Sequence, residues 1–451
     1  MTLPGAPHRV QLSDAELVAI ALGIVVGAFL PMRLPVVVLA LLVAASALLR
    51  VRLALALLLV LLSSGLAYRA HSGLIVETGG AVDGEVILMR DPRTFGNAVY
   101  VDVRYDSKRY EIAANGWTAN RLAGAEMGDK VDLVGVIQDG SPEPRWIPRH
   151  VVARMQVSWV GEIRPATGLI GISNRVRAVL ASGLEGLPAQ ERSLILGFVI
   201  GDDREQPAAL REDFRASGLT HLQAVSGQNV AFVLAVLAPL VSRLDRRLGL
   251  IVIAVALLLF GTVTRWEPSV MRATVMVGFA VVARVSGRAL SGIRALSLAV
   301  GVLVLVDPLL VWSVGFGLSV GASGGILLLS RPISRRLRGP TWLRNAFAIT
   351  LSAQLGVSPL LIAVFDGVPL VAIPANLVAV PAAGPVMVWG VTAGFVAGAL
   401  GGFWAEVIHF PNRILVDWVA TVARISAGAG LPMVGWPGLG VALVLLGITW
   451  R

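Results

Sequence analysis

The sequence predicts a polytopic α-helical membrane protein that carries one small extracytoplasmic β domain. Hydrophobic residues make up 56% of the 451 positions, and the mean hydropathy is +0.77. Apolar runs of about twenty residues, long enough to cross a bilayer, recur along the chain. Residues 82–163 depart from this pattern and show the alternation typical of β-strands. For most of the chain these observations exclude a soluble globular fold.

The net charge of +10 arises mainly from arginines in short loops. Loops around residues 50–52, 243–247, 284–294 and 331–344 carry +2, +2, +3 and +5, which together exceed the whole net charge. They alternate with acidic or neutral loops, and loops rich in Lys and Arg stay in the cytoplasm. The rule places the N-terminus inside and residues 73–165 outside. The sequence contains no cysteine, which excludes disulfides, thiolate metal sites and a Cys nucleophile.

The first three apolar runs, Leu17 to Leu30, Leu34 to Leu49 and Leu53 to Tyr68, predict three spans. Beyond them, residues 82–163 suit about five short strands, as in a small barrel of the OB type. Residues 73–165 carry a net charge of −2, unlike the basic groove of a usual single-strand binder. Their aromatic side chains are expected mostly to pack in the core or at interfaces.

The later part of the chain predicts further spans and several less regular segments. Residues 168–184 and 403–425 have amphipathic patterns and predict interfacial helices, the second carrying His409. Leu194 to Ile200 is too short to span and predicts a re-entrant or interfacial segment. Three prolines between residues 370 and 400 predict broken helices at membrane depth. The final apolar run, 439–450, predicts a last span or a truncated domain. The remaining predicted spans are 248–263, 270–285, 295–310, 314–329 and 347–365.

Residues 218–241 carry the strongest functional signal. This apolar segment also contains hydrogen-bonding side chains, which are costly in lipid and mark functional sites. On an ideal helix His221 and Ser226 lie about 140° apart and do not form a pair on one face. Gln223, Ser226 and Asn229 share a side, and Ser226-Gly227 is a plausible helix break. A polar stripe that only joins helices, with Gly227 allowing close approach, is the structural alternative.

The same segment resembles a known family. Ser217-Gly218-Leu219-Thr220-His221-Leu222-Gln223-Ala224-Val225-Ser226-Gly227 is similar to the signature of the ComEC competence proteins, the membrane channel for single-stranded DNA in natural transformation. Further blocks follow in the family's order: residues 196–204 with Asp202, then 268–274 with Arg272, Asp307-Pro308, 315–319 with Phe316 and Ser319, and 354–359 starting at Gln354. The resemblance covers residues 193–385, and the OB-like insert lies where that family has one.

The resemblance implies a channel in the bacterial plasma membrane, with no enzyme activity and no cofactor or metal. The implied transport residues are His221, Gln223, Ser226, Gly227, Asn229, Arg272 and Gln354, with Asp202, Asp307, Phe316 and Ser319 as structural or entrance residues. Implied partners are single-stranded DNA, the lipid bilayer, other DNA-uptake proteins and a separate nuclease, and the oligomeric state stays open. The implied domains are helices in 1–72, the OB-like domain in 73–164 and the channel in 165–451.

Two departures limit what carries over from the family. Asn229 stands where the family pattern often has a second histidine, which argues against a two-histidine chemistry. The metallo-β-lactamase-like domain that follows the membrane region in many members is missing, so strand degradation is not assigned.

Two other functions stay open from the residues alone. A small-solute transporter also uses broken helices and polar groups at mid-membrane. An intramembrane serine hydrolase would use Ser226 as its nucleophile. Against the hydrolase, Ala224 replaces the expected glycine, and no other predicted span carries a histidine to act as base.

Overall fold

The computed structural model describes residues 12–32, 51–75, 79–138 and 143–441. The chain divides into two compact units: Met1–Gly73 with Val275–Val311, and Leu74–Thr274 with Trp312–Arg451. The predicted span Leu34 to Leu49 and most of the apolar run 439–450 lie outside the described residues. The domain boundaries predicted from the sequence remain predictions.

Helices dominate the described residues, and many are long and apolar. They are α1 (Asp14–Phe29), α2 (Val51–Ser72), α3 (Gly116–Ala123), α4 (Gly168–Ser182), α5 (Ala189–Ile200), α6 (Ala208–Ala216), α7 (Gly227–Val241), α8 (Arg246–Val263), α9 (Pro268–Val285), α10 (Gly292–Val306), α11 (Val314–Arg336), α12 (Thr341–Phe365), α13 (Ala372–Leu400) and α14 (Gly402–Gly428). Among the described residues, seven helical stretches are long and apolar enough to cross a membrane. With the β-sheet described below, they confirm the predicted fold class.

In the first unit α1 packs against α2 and α10. Ser13 and Glu16 form a capping box, in which each side chain accepts a hydrogen bond from the other residue's backbone N–H and so starts α1. Asp14 forms an ion pair with Arg294 in the first turn of α10. These contacts set the register between two helices that are far apart in sequence.

The second unit begins with the predicted β-barrel. Its strands are β1 (Ala81–Leu88), β2 (Arg93–Phe95), β3 (Ala98–Tyr105), β4 (Lys108–Asn115), β5 (Lys130–Ile137) and β6 (Val151–Arg164). Because β1 pairs with both β3 and β5, and β4 pairs with β3 and β6, five strands close in the order β1-β3-β4-β6-β5. The β4–β6 pair is parallel and the others are antiparallel. With α3 between β4 and β5, this is the five-stranded OB arrangement that the sequence predicts.

The helical core of the second unit is built around α5. Nearly every side chain of α5 from Ser193 to Ile200 is buried, and α13 and α14 pack against it. Protein encloses this short apolar helix, and its placement as a re-entrant or interfacial segment stays a prediction. A helix of this length with no polar face is stable only when neighbours cover all of it.

Two helices predicted to be interfacial each bury some of their polar side chains. On α4, Ser173 and Arg177 are buried, whereas Leu169 and Ile172 are exposed. The α14 helix is arranged similarly, with His409 buried and a row of aromatic and aliphatic side chains exposed. Both helices therefore belong to the packed bundle and turn apolar faces outward.

The predicted breaks between residues 370 and 400 are absent. Pro381 and Pro385 lie inside α13, which runs without interruption for 29 residues. A proline removes one backbone hydrogen bond, but in membrane helices neighbouring groups compensate for such losses. Extensive packing against α14 supports the continuous helix.

Candidate functional site

The central polar segment forms a turn followed by a helix. Residues Thr220–Leu222 make one short 3₁₀ turn, and Ser226 then has the extended backbone of a helix N-cap, with φ −101° and ψ 164°. Its hydroxyl accepts a hydrogen bond from the N–H of Gln228 at 3.2 Å, which satisfies one of the free donors at the start of α7. The helix break predicted at Ser226-Gly227 is thus present.

The side chains of Ser226 and Asn229 are hydrogen-bonded to each other at this helix break. The Ser226 hydroxyl donates to Oδ1 of Asn229 at 2.9 Å. Asn229 is buried, and its Nδ2 donates to the backbone carbonyl of Phe198 on α5 at 3.2 Å. The start of α7 is therefore fixed to the buried core by a side chain that can both accept and donate.

Gly227 allows α9 to approach the start of α7 closely. A Cβ at Gly227 would lie 3.0 Å from Nη2 of Arg272 and 3.1 Å from Cβ of Ala273. The hydroxyl of Ser269, in the first turn of α9, donates to the carbonyl of Val225. The starts of α7 and α9 therefore lie against each other.

Arg272 extends this contact to a third helix. Its side chain is buried, at 7% exposure, and its Nε donates to the hydroxyl of Ser319 on α11 at 2.9 Å. We call Ser226, Gly227, Asn229, Ser269, Arg272 and Ser319 the α7 site. Five of these six are predicted site residues, and the sequence analysis missed the role of Ser269 although it lies in the quoted block 268–274.

The other polar residues of the central segment lie outside the bonds of the α7 site. His221 is exposed on the 3₁₀ turn, and neither hydrogen bond of the Ser226 hydroxyl involves it. Gln223 is buried, and its Nε2 has no hydrogen-bond partner within the described parts of the chain. A buried amide without a partner is costly and marks a place where a water or a ligand atom would be favourable.

The remaining predicted residues are dispersed. Phe316 is buried in the first turn of α11. Gln354 is half-buried on α12, where its carbonyl accepts from Ser358. Asp307 belongs to the other compact unit, and its carboxylate accepts from the N–H of Leu309 at 3.1 Å. Its geometry is that of a turn-forming side chain.

Asp202 lies in a cluster that the sequence analysis missed. We call Asp91, Arg177, Asp202, Arg204 and Arg265 the arginine–aspartate hub. Nη2 of Arg177 contacts Asp91 at 3.1 Å and Asp202 at 2.6 Å, and Arg204 contacts Asp202 at 2.8 Å. Arg265 binds Asp91 through two N–H groups, at 2.8 and 2.9 Å. Asp91 stands on the β1–β2 loop, so the hub joins the barrel to three helical segments.

The hub stays ionised at neutral pH. Burial opposes the ionisation of Asp91, but the guanidinium groups of Arg177 and Arg265 outweigh it and lower the pKa of this carboxyl to about 2. Burial opposes ionisation of Asp202 as well, and Arg204 and Arg177 again lower its pKa. A carboxylate with a lowered pKa stabilises the fold above its unfolded-state pKa of about 4 and loses that contribution as pH falls toward 2.

The α7 site offers hydrogen-bond donors, one guanidinium and the N-terminal end of a helix. Such groups attract anions, because the helix dipole and the first backbone N–H groups favour negative charge. Within the described ranges no group of three or more His, Asp or Glu side chains is arranged to hold a metal ion. The α7 site thus has groups of the kind that bind anions.

Comparison with known proteins gives three curated relatives over about half the chain. The chain is 26% identical over 235 residues to ComE operon protein 3 of Bacillus subtilis, covering 52% of this chain and 30% of the relative. It is 26% identical over 250 residues to Recombination protein 2 of Haemophilus influenzae, covering 50% and 31%. It is 24% identical over 247 residues to the uncharacterized protein YcaI of Escherichia coli, covering 51% and 31%. The chain thus spans about a third of the length of these relatives.

No solved structure matches the chain. The family model described as "Competence protein" matches residues 198–450, more than half of the sequence. This range begins at Phe198, whose carbonyl binds Asn229, and includes every residue of the α7 site. The chain is a multi-pass membrane protein that belongs to the competence protein (ComEC/Rec2) family.

Proposed function

We propose that this protein passes single-stranded DNA across the bacterial plasma membrane during natural transformation. The observation that carries the proposal is the α7 site, where Arg272 and a helix N-terminus meet among helices apolar enough to span a membrane. A DNA strand carries one phosphate per nucleotide, so its path through a bilayer needs such anion-attracting groups. Membership of the competence family supports the same function.

The energetic cost of Arg272 supports a role beyond packing. Arg272 lies about one turn inside α9, and an arginine held at mid-membrane would cost about 2.5 kcal/mol or more on insertion scales. Its Nε donates to the neutral hydroxyl of Ser319, and a hydrogen bond between ionised partners is stronger than one to a neutral group. A passing phosphodiester would supply the stronger partner. Gln223, with its Nε2 lacking a partner in the described chain, adds a buried donor to the same segment.

The barrel is the proposed first contact of the strand. A cavity of about 290 Å³ on the barrel is lined by four arginines, three carboxylates and two aromatic rings: Arg90, Arg93, Arg145, Arg149, Asp91, Asp102, Glu111, Phe95 and Tyr100. The rings of Phe95 and Tyr100 lie edge to face with centroids 6.0 Å apart. Basic and aromatic side chains together suit a single strand, whose phosphates and bases contact them respectively. Four arginines against three carboxylates leave the lining of the cavity with a formal charge of +1, whereas residues 73–165 as a whole carry −2.

The two alternatives have less support than the channel. The hydroxyl of Ser226 serves as a helix cap and binds an amide, an arrangement that provides no general base for a nucleophile. We therefore propose that the α7 site performs no covalent catalysis. A small-solute transporter loses one of its arguments, since α13 is continuous where broken helices are predicted. Other DNA-uptake proteins and a separate nuclease are the proposed partners.

Trapping a strand at residue 226 tests the proposal. Since the native chain has no cysteine, Ser226→Cys provides a single thiol in purified protein reconstituted in liposomes. Single-stranded DNA that carries a thiol-reactive bromoacetyl group is expected to form a covalent adduct with it. The matched control is Val236→Cys, on an exposed position of the same helix. Equal labelling at both positions, or labelling by bromoacetamide but never by the DNA, would refute the channel.

A further inference from the structure

Asp91 is the point where the barrel holds the helices that carry the α7 site. Its carboxylate accepts four hydrogen bonds, from Arg177, from two N–H groups of Arg265 and from the backbone N–H of Met127. Met127 lies on the turn before β5, so the loop that bears Asp91 is fixed within the barrel. From Asp91, two chains of contacts lead to Val225, the residue before the helix cap.

The first chain of contacts runs through Arg177. Its Nη1 donates to the carbonyl of Val263 at 2.9 Å and to that of Ile200 at 3.4 Å, which are the last residues of α8 and α5. Carbonyls at a helix C-terminus lack partners within the helix and carry negative partial charge, so a guanidinium stabilises them. After Ile200 comes Gly201 at φ +74°, where a Cβ would lie 2.7 Å from Cγ2 of Val225. The end of α5 therefore sets the position of Val225.

The second chain of contacts runs through Arg265. Arg265 and Trp266 adopt φ values of +57° and +52° in succession, a conformation that residues with a Cβ keep only when other contacts hold it. The bonds from Arg265 to Asp91 and to Oδ1 of Asn174, the latter at 2.8 Å, supply such contacts. Two residues after Trp266, α9 begins, and its Ser269 donates to the carbonyl of Val225.

We propose that Asp91 is a positioning residue for the α7 site, which sets the distance between the start of α7 and the first turn of α9 through Arg177 and Arg265. The barrel and the α7 site thereby keep one arrangement, although Asp91 touches no residue of that site. The importance of this spacing for transport rests on the proposed function. The distance between the start of α7 and the first turn of α9 can be measured independently of that function.

A designed disulfide measures the spacing directly. Gly227→Cys with Ala273→Cys places two thiols where the Cβ positions lie 3.1 Å apart, so a shift of a few tenths of an ångström brings them to the roughly 3.5–4.5 Å that a disulfide requires. In this cysteine-free chain the designed bond is the only intramolecular disulfide that forms. We expect Asp91→Ala to slow its formation at least about fivefold, because formation depends on thiol alignment. Asp132→Ala, which removes an exposed barrel carboxylate paired with Arg164, is expected to leave the rate unchanged.

Two further variants separate positioning from general loss of structure. Asp91→Glu keeps the charge and is expected to restore most of the rate. Arg265→Gln releases only the second chain of contacts, because Arg177 still contacts Asp202. We expect it to slow formation of the disulfide. This variant also provides the test if the Asp91→Ala protein does not accumulate in the membrane. An unchanged disulfide rate in Asp91→Ala or Arg265→Gln, or a fall matched by Asp132→Ala, would overturn the proposal. Slowing by Asp91→Ala alongside absent DNA trapping at residue 226 would uphold the positioning role and reject the proposed channel.

Discussion

Ser226 shows how one hydroxyl can indicate two different chemistries. In the sequence, Val-Ser-Gly suggests a nucleophile, but in the structure the same side chain caps α7 and donates to Asn229. Replacing a serine N-cap by alanine lowers the stability of the protein by about 1 kcal/mol. Asn229 suits this position because its amide accepts a hydrogen bond from Ser226 and donates one to the carbonyl of Phe198. A neutral imidazole also has one donor and one acceptor, but it holds them in a different geometry. The departure from the family's frequent histidine is thus compatible with an intact cap.

At Arg272, charge is expected to matter more than shape. Arg272→Gln keeps a donor for Ser319 but removes the charge that would meet a phosphate, and a hydrogen bond to a charged group contributes about 1.5–3 kcal/mol. We therefore expect uptake of labelled single-stranded DNA into proteoliposomes to fall at least about tenfold. Arg272→Lys should retain part of the activity, because it keeps the charge and loses the guanidinium fork.

The matched control for Arg272 lies on the same helix. Arg284 is exposed in the last turn of α9, and Arg284→Gln is expected to transport DNA normally. All three variants are compared at equal protein level in the membrane. Transport at the normal rate by Arg272→Gln would show that this guanidinium is structural.

For the helices, the sequence predicts where a helix forms more reliably than which of its faces is buried. The polar residues of α4 and α14 predict helices at the water interface, yet Arg177 and His409 are buried in the bundle. In water the polar face of an amphipathic helix turns outward, whereas lipid reverses this preference. The pattern of residues is the same in both cases, so periodicity alone cannot decide between them. His409 is therefore, with Arg177, a buried polar position that the sequence pattern alone does not reveal.

The barrel could be predicted because its signals are local. Alternating side chains mark each strand, and turn residues separate the strands. Three of the six strand pairs, β2–β3, β3–β4 and β5–β6, join neighbours along the chain. The hub could not, because it joins residues as distant as Asp91 and Arg265, and no spacing rule connects them. The cap at Ser226 falls between these cases, since Ser-Gly marks the break but nothing in the sequence identifies Phe198 as a partner.

The α11–α12 pair gives a prediction about packing. Gly321 and Gly325 face Gly356, and a Cβ at Gly325 would lie 3.0 Å from the Gly356 Cα. Small residues at such a crossing allow backbones to approach closely in a membrane. We expect Gly325→Leu to lower stability by about 1–3 kcal/mol, the usual cost of overpacking, seen as a lower thermal unfolding midpoint in detergent. Gly278→Leu, at a position where no neighbouring atom of the described residues lies within 4 Å of an added Cβ, should unfold at the normal midpoint. Equal midpoints for both variants would exclude a close α11–α12 crossing.

For the whole molecule, the alternation of basic loops predicts one orientation in the membrane. The barrel would stand outside, and the junction of α11 and α12, where residues Arg331 to Arg344 carry a charge of +5, would face the cytoplasm. Moving such a segment across the bilayer is unfavourable, since each arginine costs about 2.5–3.5 kcal/mol at mid-membrane.

Ser107→Cys, in the exposed β3–β4 turn, is therefore expected to react with a membrane-impermeant maleimide in intact spheroplasts. Thr341→Cys, at the start of α12, should react only after the membrane is opened. The reverse pattern would place the barrel in the cytoplasm, and strand entry would then have to begin at the opposite end of the bundle.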